Sequence, residues 1–223
     1  MKLLALDSAT EACSAAVLQD GAVSERYEVI GRGHAERLLP MADALLRTAG
    51  IALCELDAIA FGRGPGGFTG LRIAAGIAQG LAAGARLPVV PVSNLAAIAT
   101  ACAKRSGANR IVACLDARMG QVYWAAYELR DGILVAVTEE RLSDPDGVSP
   151  PAPGLWQGAG HGFGAYPEIA ERLGGACPGV DASLLPHASD IARLAAIELA
   201  EGRSVDAARA LPVYLRNDVV HRR

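Results

Sequence analysis

Lysine is nearly absent from this 223-residue chain, with Lys2 and Lys104 the only two. That scarcity argues against chemistry needing a phosphate-loop lysine or a Schiff base. The five cysteines (Cys13, Cys54, Cys102, Cys114, Cys177) contain no C-x-x-C pair and are odd in number. They predict buried free thiols in a reducing cytosol rather than a disulfide framework. The opening MKLLALD offers too short an apolar run for a signal peptide before Asp7 interrupts it. The longest glycine- and alanine-rich stretch is broken by Arg72 and Arg86 and is too short to span a bilayer. The expectation is a cytoplasmic protein without a membrane anchor. No basic excess exists either: net charge is −3, and both halves are close to balance, so composition excludes a dedicated nucleic-acid binder. Any RNA contact needs a local patch or a partner.

What the chain does have is glycine in a pattern. GRGPGGFTGLRI (residues 62–73) runs into AAGIAQGLAAG (residues 74–84), placing Gly76, Gly80 and Gly84 at i, i+4 and i+8 of a predicted helix. Each interior glycine costs about 1 kcal/mol relative to alanine. Close approach of another helix, within the chain or across chains, is the natural compensation. The loop at residues 62–70 reads either as an anion cradle at a helix N-terminus or as a tight turn set by Pro65. It is not a Walker motif, because no lysine follows the last glycine.

Around this segment the periodicities predict strands at residues 2–6, 14–18, 23–29, 58–61 and 89–92. Helices are predicted at residues 35–49, ended by Gly50, at the glycine-rich stretch capped by Thr69, and at 94–103 capped by Ser93. A second series follows, with strands at 111–116, 121–129 and 134–137. Residues 144–154 read as loop. Helices follow at 166–173 and 189–201, the latter capped by Ser189 or Asp190. LALDSA (residues 4–9) and ACLDAR (residues 113–118) match, and each precedes a strand and an Asp-Gly turn. This predicts an internal duplication. Two such units side by side are the plan of the α/β actin-like ATPase (ribonuclease H-like) fold, two duplicated subdomains with mixed sheets flanked by helices. The halves are residues 1–104 and 105–223.

Chemistry is harder to find. In an actin-like fold the strand-end turns grip phosphate through backbone N–H groups. The first turn, Asp7-Ser8-Ala9-Thr10, is plausible but lacks glycine; the second, Asp116-Ala117-Arg118-Met119, is not a phosphate loop. Candidate nucleotide or anion contacts are Asp7, Ser8, Thr10, Gly66, Gly67 and Thr69. His34 opens the first helix, but Leu38 stands where a second metal-binding histidine belongs. His161, His187 and His221 carry no ligand spacing, and no metal site is predicted. Ser8, Thr10 and Ser14 have no recognisable paired base. The apolar stripe of the first helix is wide enough to suggest a subunit interface beside the glycine-faced helix.

LALDSAT, HAERLLP, GRGPGGFTGLRIAAGIAQGLA, LDARMGQVYWAAY and LPVYLR together, in this order, resemble the TsaB (YeaZ) family across nearly the whole chain. The resemblance implies an actin-like, non-catalytic subunit of the bacterial machinery that places threonylcarbamoyl on the adenosine next to the anticodon (A37) of tRNAs decoding ANN codons. It implies pairing with a catalytic TsaD-type subunit, a TsaE-type ATPase in the complex, and homodimers when alone. tRNA is then met only through the complex. No intrinsic cofactor is implied, and ATP or ADP is expected only at a composite pocket with the partner. Carried over, the interface comprises Leu38, Leu39, Met41, Ala42, Leu45 and Leu46 of the first helix, with Leu71, Ala74, Ala75, Ala78 and Leu81 of the second. On this reading Ala78→Arg or Leu45→Asp abolishes pairing and spares the fold. The glycine argument points instead at Gly76, Gly80 and Gly84. The alternative is an enzyme of the same fold with its own activity, either a glycoprotease-like metallohydrolase or a phosphotransferase.

Overall fold

A computed structural model describes residues 1–216. The first unit comprises β1 (Lys2–Asp7), β2 (Ala12–Gln19), β3 (Ala22–Val29), α1 (His34–Ala49), β4 (Ala58–Gly64), α2 (Phe68–Ala85), β5 (Val89–Ser93) and α3 (Asn94–Ser106). The second comprises β6 (Arg110–Arg118), β7 (Gln121–Arg130), β8 (Ile133–Ala136), β9 (Arg141–Ser143), β10 (Gln157–Ala159), α4 (Gly162–Ala165), α5 (Glu168–Leu173), β11 (Gly179–Asp181) and α6 (Ala188–Ala200).

Sheet one has the order β3-β2-β1-β4-β5, and sheet two the order β8-β7-β6-β10-β11 with β9 also on β7. In each, two antiparallel hairpins lead into parallel strands. The two sheets therefore follow one plan. Both second hairpins turn through an Asp-Gly pair with positive φ at each residue, Asp20-Gly21 and Asp131-Gly132, the backbone that matches strand twist. The copies differ where α1 stands in the first: the second has β9 and the loop to residue 157 instead. This is why the second unit reads as poorer in helix.

Strand alternation distributes the core. Leu4 and Leu6 of β1 face α1 and α2, while Leu3 and Ala5 face α6. The last helices of the two units are exchanged. Most of the buried face of α3 (Leu95, Ile98, Ala99, Cys102) joins the core of sheet two, and α6 covers the far face of sheet one. The helices lie against each other between the sheets.

Helix ends follow the local signals in part. Ser93 Oγ accepts from the Ala96 N–H at 3.1 Å and caps α3. Gly50 ends α1 in the left-handed conformation. Thr69 does not cap α2, which begins at Phe68 after Gly67. Nor do Ser189 or Asp190 cap α6, which begins at Ala188. Its first N–H groups are taken by sheet one: Ala188 N–H donates to Ser14 Oγ at 3.0 Å, and Ser189 N–H to Glu25 Oε1 at 2.9 Å. All five cysteines are free; four are buried, as expected of thiols in apolar runs, and Cys54 is exposed. It sits in the short turn at residues 53–55, outside the sheets.

Candidate functional site: the cleft and the outer face of the glycine helix

The glycine loop does not open to a ligand where it meets the first strand-end turn. It is packed onto that turn. Gly67 N–H donates to the Ala9 carbonyl at 2.7 Å, and Ser8 Oγ donates to the Gly70 carbonyl at 2.8 Å. A Cβ on Gly66 would lie 2.6 Å from the Ala9 oxygen, and one on Gly70 would lie 1.8 Å from the Ser8 oxygen. Absence of a side chain is what lets the two backbones touch.

Asp7 is wholly buried. Asn94 Nδ2 donates to its Oδ1 at 2.5 Å and Ala9 N–H to its Oδ2 at 3.3 Å. Asn94 Oδ1 in turn accepts from Gly64 N–H at 2.7 Å. Burial pushes the Asp7 carboxyl up to about 7 against the hydrogen bonds that favour its charged form. Asp7 therefore points into the protein, and Ser8, although it borders a cleft between the two units, has its hydroxyl engaged by the Gly70 carbonyl. The expectation that they contact a nucleotide or anion is corrected: their polar atoms are spent on joining β1 to α2 and α3.

Ser8, Thr10, Gly66, Gly67 and Thr69 lie on the wall of this cleft of about 1070 Å³, whereas Asp7 does not reach it. The opposite wall carries Leu115, Asp116, Arg118, Tyr123 and His161, and residues 213–216 pass along it. Asp116 Oδ1 accepts from Arg118 N–H at 2.7 Å and from the Tyr166 hydroxyl at 3.2 Å, so the second turn is closed on itself. Arg118 and Met119 both have positive φ. His161 Nε2 faces Glu11 of the first unit at 4.0 Å. Burial holds its imidazole below the usual range, although Glu11 and Asp116 pull the other way. Its Nδ1 is buried and finds no hydrogen-bond partner among the described residues.

The histidines are dispersed. His34 Nε2 lies 3.0 Å from the Thr10 carbonyl and pins the start of α1. His187 pairs with Glu25 at the start of α6. His221 lies outside the described residues. Among those residues no three His, Cys, Asp or Glu side chains gather as a metal-binding group.

The helix faces correct the interface expectation. Leu38, Met41, Ala42 and Leu45 of α1 and Ala74, Ala75 and Ala78 of α2 are buried in the core over sheet one, and Leu71 is buried beside the cleft. They are not available to a partner. Leu46 and Leu81 are half-buried, and Leu39 is 46% exposed. Gly76, Gly80 and Gly84 are exposed, and a Cβ on each would meet nothing within 4 Å among the described residues. Close packing of this stripe inside the chain is thus also corrected. The inward positions are Leu71, Ala74, Ala75, Ala78 and Ala82, and the glycines fall on the opposite side of the same turns. The solvent face runs from Phe68 and Arg72 through the three glycines, with Arg72 stacked over the Phe68 ring at 3.8 Å.

Of the curated relatives, the tRNA threonylcarbamoyladenosine biosynthesis protein TsaB of Escherichia coli is 43% identical, over 98% of this chain and 96% of that protein. The chain belongs to the TsaB (YeaZ) family. TsaB of Haemophilus influenzae is 38% identical over 98% of this chain and 95% of its own length. The solved structure of YeaZ from Pseudomonas aeruginosa superposes with a TM-score of 0.91 at 49% identity, covering 96% of this chain and 99% of that one. Another solved structure is described as a protein with similarity to peptidase YEAZ from Pseudomonas aeruginosa. The family model for TsaD, tRNA N6-adenosine threonylcarbamoyltransferase, matches residues 26–209. With two sheets built on one plan, the fold is the actin-like, ribonuclease H-like α/β fold that TsaB-family proteins share with the TsaD model. Among the described residues no helix is long and apolar enough to cross a membrane.

Proposed function

We propose that this chain is the non-catalytic, activating subunit that pairs with a TsaD-type transferase for threonylcarbamoylation of A37 in ANN-decoding tRNAs. The observation that carries this reading is the packed strand-end turn. The turn that grips phosphate in this fold is packed against the protein's own glycine loop, with Asp7 held by Asn94 and Ser8 Oγ by the Gly70 carbonyl. A subunit in this state supports a catalytic relative rather than acting alone. The near full-length likeness to TsaB agrees with it.

The docking surface on this reading is the outer face of α1 and α2, with Leu39, Phe68, Arg72, Gly76, Gly80 and Gly84, which lets another helix approach closely. The same face serves a homodimer when the chain is alone. A TsaE-type ATPase joins the complex, ATP or ADP sits only at a pocket shared with the partner, and tRNA is met through the complex. The setting is the cytoplasm.

The test is reconstitution with the threonylcarbamoyl-AMP synthetase, TsaD, TsaE, ATP, threonine, bicarbonate and tRNA. Modified tRNA that appears only when this chain is added, with no activity from the chain alone, is the expected result. Equal product without the chain overturns the proposal.

A further inference from the structure

The two units meet through α3 and α6, and the cleft lies where they part. Across it runs a segment with no helix or strand of its own, residues 211–216. It leaves the first core at Ala210, which is fully buried there. Val213 N–H then donates to the Arg63 carbonyl at 2.7 Å. The Val213 oxygen lies 2.9 Å from where a Cβ on Gly64 would be, at a residue with φ of +111°. The Tyr214 hydroxyl accepts from Arg72 Nε at 3.0 Å, and its ring lies 5.4 Å from that of Phe68. Leu215 packs on the core of sheet two. Arg216 Nη2 donates to the Ala117 carbonyl at 3.1 Å and to the Arg118 carbonyl at 3.4 Å. Six residues thus bind the glycine loop and α2 of one unit and the β6–β7 turn of the other.

We propose that residues 211–216 are a clamp that fixes how far the two units open. Besides the contacts made along α3 and α6, such as Lys104–Asp190, Arg105–Asp181 and Glu25–His187, the Arg63–Glu140 ion pair at 3.0 Å and the longer Glu11–His161 approach at 4.0 Å cross between the units. Arg63 belongs to both systems, since its carbonyl holds Val213 while its guanidinium holds Glu140. The clamp's main-chain and charge-assisted bonds are its anchors, and Leu215 alone enters a core. A segment held by so few contacts opens locally without unfolding the layers beneath it. Its release leaves α3 and α6 as the joint and frees the cleft side.

The experiment compares a chain ending at Arg216 with one ending at Ala210, and adds Arg216→Ala in the 223-residue chain. Spin labels are placed at Thr69 and Arg118, on opposite walls, in a Cys54→Ser background and diluted into unlabelled protein. The chain ending at Arg216 gives one narrow distance distribution. The chain ending at Ala210 gives a broader, longer one, and Arg216→Ala falls between. Amides of residues 62–70 exchange roughly tenfold faster in the shorter chain. Wild-type distances in Arg216→Ala, or in the folded shorter chain, overturn the clamp. If the shorter chain does not fold, Arg216→Ala alone decides.

Discussion

The missing Cβ of Gly70 would stand 1.8 Å from the carbonyl oxygen of Ser8. That contact joins the glycine-rich loop before α2 to the glycine-free turn after β1 and makes one structural unit of them. The glycine loop plugs the inner side of the turn, while both line the cleft on the other side.

Gly70→Ala is therefore expected to be severe although the change is one methyl group. The obstacle is backbone, which cannot rotate aside, and the loss is about 3 kcal/mol or more. Denaturant unfolding measures it. A stability within about 0.5 kcal/mol of wild type contradicts the plug.

Ala78 and Gly80 sit two residues apart and predict opposite outcomes. Ala78 is fully buried, so Ala78→Arg strands a charge in the core and costs roughly 4 kcal/mol. Loss of pairing in that variant would follow from loss of fold, contrary to what the resemblance alone implies, and Leu45→Asp behaves likewise. Gly80→Arg keeps a normal melting transition, because open space receives the side chain. It weakens pairing with the transferase subunit roughly tenfold or more by obstructing a close helix approach. Circular dichroism and light scattering separate the two cases.

The start of α6 gives a pH dependence. His187 Nδ1 lies 3.0 Å from Glu25 Oε2, and its ring stacks on Tyr27 at 4.1 Å. The bond to Glu25 raises the His187 pKa over the opposing effect of burial. Burial would lift Glu25, but the hydrogen bonds from His187 and Ser189 outweigh it and hold the carboxyl low. A histidine raised on folding contributes stability in full below its unfolded value of about 6.5, and loses it as pH rises through the folded value. Glu25 contributes above its unfolded value of about 4.3 and loses its share as pH falls through the lowered one. Melting temperatures between pH 5 and 9 for wild type and His187→Gln test this. The gap is widest near pH 5.5 and narrows on the alkaline side; a constant gap refutes the linkage.

Sequence made β1 to β8, both Asp-Gly hairpins, the duplication and the cap of α3 legible, because each is written within a few neighbouring residues; β9, β10 and β11, three residues each, are too short to show a period and were not legible. The inward side of α2 was not legible. Alanine on one face and glycine on the other differ little in hydropathy, so periodicity alone could not orient the helix. The cap of α6 comes from Ser14 and Glu25, more than 160 positions away, and leaves no local trace. Asp7 was correctly singled out as a strand-end aspartate, but its role depends on Asn94, a residue with no motif around it.

The exchange of α3 and α6 between the sheets also sets a schedule. A ribosome releases sheet one long before the helix that finishes it. Until residues 188–200 emerge, Leu3, Ala5, Ala16, Leu18, Val90 and Val92 lack the helix that covers them in the mature protein, and an uncovered apolar sheet face invites aggregation. The first sheet is thus completed by a helix made after every strand of the second. A chain interrupted before α6 carries an unfinished surface that chaperones and proteases can read as a mark of incompleteness.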